Sequence, residues 1–125
     1  MSTKPKVEKV AFTMYSVTDP ARARDFYENK LGLQVGMHGS QGDMHWIEYD
    51  LPGGGCLALT NATGEKPGVG GTIAFEVADL DALVSELKAK GVEFRGELVK
   101  GPRCRMANCI DSEGNAIVLH QLDDK

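Results

Sequence analysis

Short apolar runs alternate with polar punctuation along the chain, and the whole pattern occurs twice. Positions 10–17 (VAFTMYSV) are rich in strand formers, with alternate side chains sharing a face. Thr18, Asp19 and Pro20 end the run, Asp19 suited to a helix N-cap and Pro20 to the first helical position. The predicted helix runs through Ala23, Phe26 and Tyr27 to Lys30, and Gly32 stops it. Positions 71–77 (GTIAFEV) repeat the strand and Asp79 repeats the cap. Leu80, Leu83, Val84 and Leu87 then recur at helical spacing. Lys88 and Lys90 stand in the last turn, where cations suit the helix dipole, before a stop at Gly91.

Each helix is followed by three strand candidates. In the first half these are residues 33–38, 45–50 and 56–60; in the second they are 92–96, 103–110 and 116–121. Val17 and Val77, Asp19 and Asp79, and Gly54 and Gly114 are each 60 residues apart. The turn before each last strand carries Asp and Gly, which supply Asx hydrogen bonds and positive φ. The chain therefore reads as two tandem βαβββ modules, at about residues 7–60 and 71–121, joined by a glycine-rich linker at 61–70. That is an α+β fold, and 125 residues suffice for one domain with a core.

Composition narrows the partners. A net charge of −4 argues against a nucleic-acid backbone, and Lys4, Lys6 and Lys9 read as a solvated strand edge. No apolar run is long enough for a membrane span, and the N-terminus lacks the apolar core of a secretory signal. The cysteines, Cys56, Cys104 and Cys109, are odd in number, and Cys104 and Cys109 fall on opposite faces of one predicted strand. Reduced, structural thiols and a cytoplasmic location are expected. Glycines 53–55 form a turn with no following Lys-Ser/Thr, Ser112 lacks a nucleophile elbow, and Asp79 with Asp81 belongs to a helix start.

The stretch VTDPARARDFY at 17–27, KLGLQV at 30–35, VADLDALVSELKAKGVEF at 77–94 and DSEGNAIVLHQ at 111–121 together resemble the vicinal oxygen chelate superfamily. Glyoxalase I, bleomycin-binding proteins, fosfomycin-resistance enzymes and ring-cleaving dioxygenases are members. The resemblance implies curved mixed sheets around a concave cavity, helices outside, and commonly a homodimer. It puts the superfamily's metal-ligand slots at Phe12, Ala58, Thr72 and Val118. Superfamily ligands are His, Gln or Glu, whereas Phe, Ala and Val have no donor atom and a lone threonine hydroxyl binds a divalent ion poorly. No metal and no cofactor is expected.

Strand alternation assigns Phe12, Met14 and Ser16, with Cys56, Ala58 and Thr60, to the cavity face of the first module. Thr72, Ala74 and Glu76, with Ala116, Val118 and His120, take it in the second, while Ile73, Phe75, Val77, Ile117 and Leu119 pack under the helix. Glu76 and His120 then become neighbours able to hold a polar ligand or do acid–base work; the plainer alternative is a solvated strand end. Trp46 is a cavity platform or a core or interface residue; one of Arg103 and Arg105 has the reach to meet an anionic ligand in the cavity, but a solvated edge is the preferred reading of both. His38 and His45 read as surface residues. Two functions stay open. One is a metal-free, bleomycin-resistance-like protein capturing a small, partly apolar or aromatic compound through Phe12, Met14, Trp46, Ala58, Thr72, Glu76, Val118 and His120. The other is a lyase, isomerase or dioxygenase-like enzyme using displaced ligands or Glu76 and His120.

Overall fold

The computed structural model describes Lys6 and residues 9–123; Lys4 and Val7 lie outside them. The first sheet contains β1 (Thr13–Ser16), β2 (Val35–Gln41), β3 (Met44–Asp50) and β4 (Cys56–Thr60), in the order β1-β4-β3-β2. The second contains β5 (Ile73–Glu76), β6 (Val99–Lys100), β7 (Cys104–Ile110) and β8 (Ala116–Leu122), in the matching order β5-β8-β7-β6. In each sheet the first and last strands pair in parallel and the other pairs are antiparallel. The repeat in the sequence is thus a repeat of topology.

Helices α1 (Pro20–Arg24) and α2 (Leu80–Ala89) start alike. Asp19 accepts from the Arg22 amide and Asp79 from the Ala82 amide, each at 3.1 Å. Gly32 and Gly91, at φ of 77° and 84°, supply the left-handed exits. The first helix departs from the α-helix expected as far as Lys30, because residues Asp25–Lys30 form a π-helical turn. The Leu31 amide reaches back five residues to the Phe26 carbonyl. That wider turn accompanies the burial of adjacent Phe26 and Tyr27 together.

The expected strand at 92–96 is the main misreading. Phe94 makes only an isolated bridge to Cys109, and the regular edge strand forms later, at Val99–Lys100. Gly96, at φ 69°, turns the chain out of the extended conformation before the strand can lengthen. The first strand is also shorter than 10–17, with Val10 largely exposed.

One apolar core joins both modules. Tyr15, Val17, Phe26, Tyr27, Ile47, Leu57 and Leu59 meet Phe75, Leu80, Leu87, Ile117 and Leu119. Polar ties reinforce the junction. The Tyr15 hydroxyl accepts from the Ile73 amide and donates to the Ala116 carbonyl, both at 2.6 Å. Tyr27 donates to Asp111 at 2.7 Å, and Asp111 also accepts from the Glu113 and Asn115 amides. The fully buried Glu113 carboxylate accepts from the Thr18 and Asp19 amides, the Thr18 hydroxyl and the Arg22 guanidinium. Burial pushes the Glu113 carboxyl up, but these donors outweigh it and hold it below the ordinary carboxylate range.

Cys104 and Cys109 take opposite faces of β7, as alternation requires. Cys109 is buried in the core, where desolvation pushes its thiol up to about 11.

Candidate functional site

Two groups of side chains occupy the sheet faces turned away from the helices. On the first sheet, register pairs Met14 with Ala58, Ala58 with Glu48, and Trp46 with Thr60, placing all five on one face. Phe12, just before β1, meets Trp46 edge-to-face with ring centroids 5.3 Å apart. Trp46 therefore belongs to this face rather than to the helix-side core. Its indole N–H donates to Glu48 at 2.6 Å, fixing the ring. Met37, opposite Glu48 on β2, extends the patch. Phe12 is 45% exposed, Met14 40% and Met37 47%, so this is an apolar surface open to a ligand or partner.

Ala58 lies on the strand between Phe12 and Trp46 and is fully buried. The slot that would carry a metal ligand is closed over. Phe12, Ala58 and Val118 offer no donor atom, so the metal of the enzymatic superfamily members does not fit these residues. No group of three or more metal-ligating side chains occurs among the described residues.

On the second sheet, Glu76 pairs with His120 in register, and His120 Nδ1 lies 2.6 Å from Glu76 Oε1. The other carboxylate oxygen accepts from the Leu122 amide at 2.9 Å. A carboxylate acceptor selects the Nδ1–H tautomer, leaving Nε2 as the basic nitrogen. Val118, beside Ala74 in the register, and Thr72, just before β5, flank this pair on the same face. Phe12, Met14, Trp46 and Ala58 thus group on one sheet, and Thr72, Glu76, Val118 and His120 on the other. Trp46 borders a shallow depression with Thr60, and Glu76 borders a separate, larger cavity between the modules.

The arginine question resolves for Arg105, which points to the helix side and pairs with Asp81 at 3.1 Å. His38 and His45 lie at the surface, as expected, and interact with each other there. Their rings stack, with His38 Nε2 at 3.0 Å from His45 Nδ1, and Arg24 Nη1 lies 3.2 Å from His38 Nδ1. Arg24 also binds Glu28, holding that carboxyl below its ordinary range, and Tyr49 donates to the same carboxylate. Only the spacing of two histidines across a predicted hairpin hinted at this cluster.

Two four-stranded sheets built from repeated βαβββ units define the class of protein. The sequence profile of the Glyoxalase/Bleomycin resistance protein/Dioxygenase superfamily matches residues 9–119, and the chain belongs to that superfamily. Among solved structures, TnmS3, an antibiotic-binding protein from Streptomyces sp. CB03234, is 25% identical with a TM-score of 0.81. The match covers 95% of this chain and 99% of that one. A glyoxalase/bleomycin resistance protein from the same organism is 26% identical with a TM-score of 0.73, covering 89% and 100%. Glyoxalase I of Leishmania major shares the fold at 24% identity and a TM-score of 0.76, covering 94% and 88%. Comparison with curated protein sequences finds no match.

Proposed function

We propose that this chain, as one domain of two modules at about 7–60 and 71–121, captures a small, partly apolar or aromatic compound without a metal. The carrying observation is the Phe12–Trp46 ring pair closed over Ala58. A ligand-bearing position has become the floor of an aromatic platform, and Glu48 fixes its indole. TnmS3, an antibiotic-binding protein, supports the same reading. A homodimer follows, because a second copy laid across the exposed apolar face turns an open surface into an enclosed site. Trp46 is the chain's only tryptophan, so its fluorescence reports occupancy directly. A panel of planar apolar antibiotics should quench it saturably in the wild type and about tenfold more weakly in Phe12→Ser. Quenching that is unsaturable, or indifferent to Phe12, would remove the platform from the binding site.

The 2.6 Å contact between His120 and Glu76 favours a second reading as an enzyme. Its imidazole is oriented as a general base is, with Nε2 left to accept a proton. A solvent-isotope exchange assay with carbonyl compounds bearing acidic α-protons tests it. Exchange equal in wild type and His120→Ala would exclude the pair as a base.

A further inference from the structure

The two halves of the molecule differ most where each contacts the other. Residues 60 apart should build equivalent junctions, one where the β7–β8 turn meets β1 and α1, one where the β3–β4 turn meets β5 and α2. The first junction is filled. Asp111, Glu113 and Asn115 bond Tyr27, the α1 start and Ser16, leaving a cavity of only about 240 Å³ beside them. At the second junction the counterparts of Asp111, Glu113 and Asn115 are Leu51, Gly53 and Gly55, and that of Tyr27 is Leu87. None of these can form the polar ties. The cavity there measures about 560 Å³.

Its walls are chemically of one kind. Leu31, Leu33 and Leu51 come from the first module, and Phe75, Leu83 and Leu119 from the second. Among the described residues that line it, Glu76 is the only ionisable group, and its carboxylate is engaged by His120 and the Leu122 amide. Gly53 and Gly54 form part of the rim, and nothing lies within 4 Å of a Cβ placed on either. Leucines stand in for two of the polar groups and glycines for the other two, and the glycine positions are left open.

We propose that this inter-module cavity is a second binding site, separate from the aromatic face of the first sheet, for a compact uncharged apolar molecule of fused-ring size. The volume lies within the range of ligand sites, and walls without a cation or an unengaged lining charge select against ionised ligands. Affinity would come from burial of apolar area.

The neutral naphthalene dye prodan tests the proposal with the full-length protein. Blue-shifted, saturable emission with one dye per chain is expected in Trp46→Ala, where the platform is gone. Gly53→Phe places a ring where its counterpart Glu113 sends a buried side chain, and should weaken dye binding at least about tenfold. Leu83→Phe fills the cavity from the opposite wall and serves if the glycine variant does not fold. Trp46→Ala and Phe12→Ser, which lose any dye held on the platform, should keep the cavity-bound dye, so failure of this inference is distinct from failure of the platform. Dye affinity unchanged in a folded cavity-filling variant overturns the proposal. So does binding lost in Trp46→Ala instead, or no saturable binding to the wild type.

Discussion

Removing one oxygen atom tests how the modules are held together. In Tyr15→Phe the ring keeps its buried place while the hydroxyl that links β5 to β8 disappears. The Ile73 amide loses its acceptor and the Ala116 carbonyl its donor, both at 2.6 Å, and a longer contact to the Gly71 carbonyl goes as well. Each neutral hydrogen bond contributes roughly 0.5–1.5 kcal/mol net. Ile73 and Ala116 are only half-buried, so water recovers part of the loss. The expected cost is about 2 kcal/mol, or about 8 °C in Tm for a domain of this size. Urea unfolding followed by circular dichroism should show a lower midpoint at unchanged slope. A loss below about 0.5 kcal/mol, no larger than an ordinary surface substitution, would show that the hydroxyl is not a tie between modules.

Acid should weaken the same junction. The Glu113 carboxyl is depressed in the folded chain, so its contribution is complete above the unfolded value of about 4.3 and is lost as pH falls through the folded value. Thermal melts from pH 6 to pH 3 should therefore fall more steeply for the wild type than for Glu113→Gln, which starts lower; parallel curves would contradict this. Cys109 is buried with its thiol raised to about 11, so a disulfide reagent at pH 8 should modify at most the other two cysteines in the native protein. Rapid modification of all three thiols, counted by mass spectrometry, would refute its burial. His120→Ala should weaken binding of an identified ligand by roughly 1–3 kcal/mol and leave stability nearly unchanged; calorimetric titration giving equal affinities would move His120 out of the site.

Much of this architecture was legible in the residues because the devices that set it are local. Asp19 and Asp79 cap, Gly32 and Gly91 terminate, and alternation along β4, β5 and β8 sorts the two faces without knowledge of the fold. Alternation puts Glu76 and His120 on one face, and they are partners because β5 and β8 lie side by side. The π turn was not legible, since Ala23, Phe26 and Tyr27 fit an α-helix equally well and only the Leu31-to-Phe26 bond separates the two. Strand 92–96 was misread because its apolar residues alternate properly, while the turn at Gly96 depends on where the edge can pair. The ties of Glu113, Asp111 and Tyr15 span 56 to 101 residues of sequence and leave no local pattern.

Departures from the repeat carry more information than the repeat itself. Positions that agree across 60 residues include the helix caps Asp19 and Asp79 and the turn glycines Gly54 and Gly114. Positions that disagree include those on the sheet faces and at the junctions between modules. At the sheet faces, Phe12 stands where the second module has Thr72, and Trp46 where it has Met106, so only the first face can hold an aromatic pair. Ser16 and Thr60 stand where the second module has Glu76 and His120, so only the second face can hold an ionisable couple. At the junctions, Glu113 against Gly53 separates a packed contact from an open cavity. A duplicated unit whose copies were selected only for folding has no reason to divide its apolar and polar chemistry so cleanly. The division follows if the two faces do different chemical work, the aromatic one by burial and the ionisable one by hydrogen bonding.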